Sequence, residues 1–114
     1  MRTQRRVDPD WVPPLPVAVF HILVTIADRE RHGYAIMQDV ASRTDGQLRL
    51  SPGTLYGSIK KMLTDGLIEE LHERRPDDVR RYYRITRFGR KIAAAECARL
   101  TKLLRQARAS GLVP

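Results

Sequence analysis

Apolar residues recur along this chain at two periods, one helical and one of strands, and their alternation lays out the elements in order. Nine of the eleven residues from Val17 to Ala27 are apolar, interrupted by His21 and Thr25. The length of this run, with Pro16 before it, predicts a helix that is apolar on nearly every side. A chain of 114 residues cannot hide such a helix completely by itself, so a second subunit is expected to help cover it. Asp28 to His32 reads as a charged turn. A second helix is expected from Gly33 to Arg43, with Tyr34, Met37, Val40 and Ala41 on one face, closed by Thr44-Asp45-Gly46.

The run from Leu50 to Ile68 is more explicit. Ser51 can cap a helix with its hydroxyl, and Pro52 suits the first helical position, where its missing N–H costs nothing. Leu55, Ile59, Met62 and Leu63 fall on one face. Gly53, Gly57, Lys60 and Thr64 fall on the other, with Tyr56 and Lys61 on its flanks. Asp65-Gly66 ends the helix with a residue tolerant of the left-handed conformation. Small, hydroxyl and basic groups on the outside of a short helix suit a DNA major groove. Leu48-Arg49-Leu50 is read as a minimal strand before it.

Leu67 to Arg74 and Arg80 to Thr86 read as two strands joined by the turn-rich loop Arg75-Pro76-Asp77-Asp78-Val79, with Tyr83 and Ile85 facing the core. Thr86 can cap a last helix running from about Arg87 to Ala109. On it, Ala93, Cys97, Leu100, Leu104 and Ala107 repeat at spacings of 4, 3, 4 and 3, the alternation of a dimer seam. Ile92 and Leu103 widen that stripe, while Arg99, Lys102, Arg105 and Arg108 lie mainly off it. Phe20 and Leu23 of the first helix are expected to join the same interface. The chain therefore divides into an irregular basic arm over 1–16, a helix–helix–helix–hairpin unit over 17–86, and a dimerisation helix and tail over 87–114. The expected class is α+β, mostly α, a winged helix-turn-helix with one added C-terminal helix.

Charge sharpens this reading. Lys and Arg total 21 against 13 acids, for a net charge of +8. Arg74 to Lys91 holds eight basic residues against two acids. Such a concentration predicts a polyanionic partner, here double-stranded DNA, because neutralised phosphates release counterions. Candidate DNA contacts are Tyr34, Ser51, Thr54, Tyr56, Lys60, Lys61, Arg80 and Arg81. For Tyr56 the alternative is a half-buried ring supporting the hairpin, and for Tyr34 local packing.

Other chemistries find little support. His21, His32 and His72 lack metal-ligand spacing, and each is read as structural or solvated. Glu69 and Glu70 occupy adjacent strand positions and so point to opposite faces. No nucleophile–base pair or glycine-rich phosphate loop is present, so neither catalysis, metal nor cofactor is expected. Cys97 is the sole cysteine, which excludes a disulfide framework. Val17 to Ala27 is too short to span a bilayer, and the N-terminus lacks the apolar stretch of a signal peptide, so a cytoplasmic protein without membrane contact is expected.

Four segments carry a family resemblance: His32-Gly33-Tyr34, Ser51-Pro52-Gly53-Thr54-Leu55-Tyr56, Asp65-Gly66-Leu67-Ile68 and Arg81-Tyr82-Tyr83-Arg84-Ile85-Thr86-Arg87-Phe88-Gly89. In this order and spacing they resemble the PadR family of bacterial transcriptional regulators, in its compact branch with one C-terminal helix. The resemblance extends from about Leu15 to Ala107 and implies a homodimeric winged-helix repressor. Gly57 stands where longer side chains are frequent in that family. The apolar first helix and the small seam residues Ala93 and Cys97 can leave an apolar cavity at the two-fold axis. Trp11 and Phe20 are its candidate walls, for a small aromatic or hydrophobic effector of the kind the resemblance also suggests. The alternative is a tightly packed interface with no cavity. The competing reading is a winged-helix module for protein binding or ligand capture, which would show exposed apolar residues on the outer face of the third helix.

Overall fold

The computed structural model describes residues 13–71, 77 and 79–114. Its elements are α1 (Val17–Thr25), β1 (Arg31–His32), α2 (Gly33–Arg43), α3 (Pro52–Thr64), β2 (Ile68–Glu70), β3 (Tyr82–Ile85) and α4 (Arg87–Ala109). The strands form one antiparallel sheet in the order β1-β3-β2. Ile68 pairs with Ile85 and Glu70 with Tyr83 on one side of β3, and His32 pairs with Tyr82 on the other. This is the expected winged helix-turn-helix with an added helix.

Local chemistry explains the ends of the helices. The Thr86 hydroxyl accepts from the Gly89 N–H at 2.9 Å and starts α4. The imidazole Nδ1 of His32 accepts from the Ala35 N–H at 3.2 Å and caps α2. Gly66, with φ of 82°, takes the left-handed position just after α3, and the Leu67 N–H closes that turn on the Met62 carbonyl at 2.9 Å.

α1 packs against α2, α3 and α4 alike. Ile22 and Leu23 are completely buried, as are Ile36 and Val40 of α2 and Leu55 and Met62 of α3. Removing such a side chain from water contributes about 1.5–3 kcal/mol each, so these contacts fix how the helices sit. α4 enters close to the α3–β2 junction through Gly89. A Cβ there would stand 2.1 Å from the Leu67 carbonyl oxygen, closer than any side chain can approach. The outer half of α1 is left partly uncovered, with Val17 exposed and Ala18, Phe20, His21 and Val24 half-buried.

Several expectations need correction. Residues 28–32 are not only a turn, because Arg31 and His32 form a third strand along β3. Leu48–Leu50 forms no strand. α1 stops at Thr25, short of Ala27. The buried face of α2 is Gly33, Ile36 and Val40, whereas Tyr34, Met37 and Ala41 line a shallow surface depression with Arg49 and Leu50. Leu23 cannot belong to a dimer seam, since its own chain buries it completely. Trp11, Val12, His72, Arg74 and Arg75 lie outside the described residues.

Candidate nucleic-acid interface

The third helix is built as its sequence requires. Ser51 Oγ accepts from the Thr54 N–H at 3.1 Å, and Pro52 occupies the first turn. Leu55, Ile59 and Met62 anchor one face in the core, which turns Gly53, Thr54, Gly57 and Lys60 to the surface. No atom outside the helix lies within 4 Å of where a Cβ at Gly57 would stand. The outer face is therefore smooth and polar in the middle, with a cation beside it. Lys61 is partly engaged, 3.1 Å from the Asp65 carboxylate one turn on. Among the described residues, Tyr56 is the single large apolar side chain that α3 exposes.

Tyr56 is placed by a glycine on another element. Its ring crosses the first turn of α2, where a Cβ on Gly33 would come within 2.3 Å of the phenolic oxygen. The absence of a side chain at Gly33 thus lets α3 lean on α2 and holds Tyr56, 49% exposed, at the edge of the α3 surface. Tyr34, 59% exposed, stands next to this contact at the α2 N-terminus. The phenol end of Tyr56 thus packs on Gly33 of α2, while the residue as a whole stays about half exposed.

The hairpin brings more cations alongside. Arg81 is loosely matched with Glu70 at 3.9 Å. Arg84 is held by Glu69 at 2.9 Å, through two of its nitrogens. Surface pairs of this kind contribute little to stability, and a phosphate can compete for the same guanidinium. Arg80 Nη1 lies 3.2 Å from His32 Nε2, and its guanidinium sits 5.8 Å from the centre of the Tyr82 ring. His32 meets the same ring edge-on at 5.3 Å. One imidazole therefore caps α2 and braces the root of the hairpin, tying the two parts of the surface together.

A second network fixes α2 on α1. The buried Thr25 hydroxyl donates to Asp39, and Arg43 Nε donates to the same carboxylate at 2.5 Å. Burial pushes the Asp39 carboxyl up, but these two bonds and the nearby Arg43 and Arg31 charges outweigh it and hold it below the usual carboxylate range. On α4, Glu96 is buried although charged. Arg99 donates to it through two nitrogens, both at 2.8 Å, and the Leu15 backbone also bonds to it. The Arg99 bond is the main cause of its lowered pKa, working against burial.

Of the proposed DNA contacts, Tyr34, Ser51, Thr54, Tyr56, Lys60, Lys61, Arg80 and Arg81 are all exposed. Ser51, Thr54, Tyr56, Lys60 and Lys61 lie on α3 or at its cap, Arg80 and Arg81 at the hairpin, and Tyr34 on α2. Of the proposed seam, Leu100 and Leu104 are 40% and 44% exposed, Cys97 is exposed, and Phe20, Ala93 and Ala107 are half-buried. Sequence reasoning missed His32, Gly33 and Arg84 in this surface. The segment His32-Gly33-Tyr34, which carries part of the family resemblance, was the signal for the first two. Among the described residues no cluster of His, Cys, Asp or Glu could hold a metal ion, and no helix is long and apolar enough to cross a membrane.

The sequence profile of the transcriptional regulator PadR-like family matches residues 22–95, well over half of the chain. The chain belongs to the PadR-like family. A transcriptional regulator of Mycobacterium tuberculosis, Rv3488, is 36% identical over 88 residues, which is 75% of this chain and 78% of that one. A protein of Lysinibacillus sphaericus is 33% identical over 70 residues, 60% of this chain and 64% of that protein's own length. Among solved structures, a transcriptional regulator of Clostridium thermocellum superposes with a TM-score of 0.69 at 24% identity, covering 85% of this chain and 90% of that one. Bacillus subtilis PadR in complex with operator DNA gives 0.61 at 19% identity, over 69% of this chain and 45% of that chain. This PadR-like protein thus belongs to a family of transcriptional regulators and not of enzymes.

Proposed function

We propose that this PadR-like protein is a homodimeric repressor that sets α3 into the major groove of an operator half-site and lays the hairpin along the adjoining backbone. The observation that carries this reading is the division of surface chemistry between two helices. The outer face of α3 is small, polar and basic, with Tyr56 alone as a large side chain on its flank, which fits base edges and phosphates better than an apolar protein partner. The apolar face of α4 runs on beyond its buried residues Gly89, Ile92 and Glu96 to Leu100, Leu103 and Leu104, which the chain leaves uncovered. A second copy of α4, with the half-bare side of α1, is the natural cover. Two reading helices about 34 Å apart would then meet half-sites one turn apart. The DNA-bound Bacillus subtilis relative, of the same fold, supports this choice over protein capture.

Electrophoretic mobility shift at increasing salt tests the reading. Wild-type protein is expected to shift duplex DNA with a steep salt dependence. The double variant Lys60→Ala/Arg81→Ala is expected to bind more weakly, with a slope shallower by about one unit per lost phosphate contact. An unchanged slope would show both cations to be merely solvated. Repression implies a releasing signal, and an apolar effector lodged at the seam beside Phe20 and the small residues Ala93 and Cys97 completes the proposal. Titration with planar aromatic compounds is expected to lower DNA affinity, and a panel that leaves affinity unchanged removes the effector.

A further inference from the structure

The positive charge of this protein is concentrated away from its reading helix. α4 carries seven cations, Arg87, Arg90, Lys91, Arg99, Lys102, Arg105 and Arg108, against the single acid Glu96. Glu96 is buried and held by Arg99, so it offsets nothing on the outside. Helical spacing sets Arg87, Lys91, Lys102 and Arg105 on the face opposite the buried Gly89, Ile92 and Glu96. All four are exposed, and none has an ion-pair partner among the described residues. Between the two cation pairs this face carries only the small exposed residues Ala94, Ala98 and Thr101, so nothing tall interrupts it. The ridge is about 27 Å long at 1.5 Å per residue.

Helix stability argues against this arrangement. Arg87 and Arg90 stand at the positive end of the helix dipole, where no acid accompanies them. Arg87 with Lys91, and Lys102 with Arg105, are like-charged neighbours one turn apart, which repel. A ridge that weakens its own helix is the kind of local conflict expected at a binding surface. The ridge belongs to a different helix from the reading surface: α4 meets the helical body chiefly through α1, which also packs on α3, and the ridge lies opposite the residues that α4 buries.

We propose that the outer face of α4 is a second duplex-DNA surface, which takes up another duplex segment by its phosphates, without reading bases, while α3 and the hairpin hold the first. The proposal rests on the DNA-reading role of α3. It is tested with the full-length protein on beads carrying a tethered mixed-sequence duplex, to which a second, fluorescent duplex is offered. Wild-type protein is expected to bind the tethered duplex and capture the second. Arg87→Gln/Lys91→Gln/Lys102→Gln/Arg105→Gln should retain the first duplex, lose at least about tenfold of the capture, and flatten the salt slope of capture by up to about 0.9 units per lost contact. The pairwise variants Arg87→Gln/Lys91→Gln and Lys102→Gln/Arg105→Gln should each lose part of it, which keeps the test sound where the quadruple variant folds poorly. Undiminished capture by these variants would assign bridging to the two reading helices and overturn the proposal. So would capture of phosphatidylglycerol vesicles in place of the second duplex. Failure of the wild type to bind the tethered duplex itself would instead refute the role of α3.

Discussion

Gly57→Ala is the sharpest probe of the reading surface, because stability and binding should move in opposite directions. Gly57 lies inside α3, its backbone lies outside the left-handed region, and a Cβ there would meet no atom within 4 Å. Alanine is therefore accommodated without strain. A glycine inside a helix costs about 1 kcal/mol relative to alanine, so the variant should be more stable by about that amount. For a domain of this size that is a rise of ~4 °C in melting temperature. On DNA the same methyl group is added at the smoothest part of the outer face, between Gly53 and Lys60, where the backbone can approach the groove floor most closely. Forcing one methyl into a fitted contact costs about 1–3 kcal/mol, a loss of roughly 5- to 150-fold in affinity. Thermal melts and fluorescence anisotropy, with duplexes selected by the wild-type protein from a random pool, measure the two effects on one preparation. A stabilised variant that binds those duplexes as tightly as wild type would place the backbone at Gly57 clear of the DNA and refute the reasoning.

Three further outcomes follow from packing and charge. Gly89→Ala drives a Cβ against the Leu67 carbonyl, which is backbone and cannot swing aside; a loss of about 3 kcal/mol, or roughly 12 °C in melting temperature, is expected, and a drop below 2 °C would show that α4 shifts freely. Leu104→Asp places an unpaired charge on the uncovered stripe of α4 and should turn the dimer into monomer in sedimentation velocity; an unshifted dimer would put the seam elsewhere. Glu96 has a native pKa below its unfolded value, so the unfolded chain binds more protons and stability rises with pH through that window. Its contribution is whole above the ordinary glutamate range and is lost as pH falls through the lowered native value. Glu96→Gln should therefore lower the melting temperature near pH 7 and matter much less near pH 3, and an equal effect at both would deny the ionised pair with Arg99.

Helices with chemical punctuation were legible residue by residue. Ser51-Pro52 and Asp65-Gly66 bounded α3, Thr86 started α4, and the apolar spacing between them set which face is buried. Local rules suffice there because a cap or a stop acts within one turn of chain. β1 was not legible, since two residues have no periodicity and Arg31–His32 is a strand only because β3 runs beside it. The role of His32 was hidden for the same reason, as its contacts with Arg80 and Tyr82 join residues about 50 positions apart. An all-round apolar helix such as α1 carries no information about which side meets which neighbour, and so Leu23 was assigned to a seam that its own core occupies. Glu96 carries no signal of burial in the sequence; it is buried because Arg99 and the Leu15 backbone converge on it. The sequence by itself thus determined the order and ends of the helices, the polarity of the α3 surface and the excess of positive charge, all of which depend on neighbours within a turn or on composition. Tertiary structure alone decided the third strand, the seat of Tyr56 over Gly33 and the burial of Glu96 beside the Leu15 backbone, because each is a contact between segments distant in the chain.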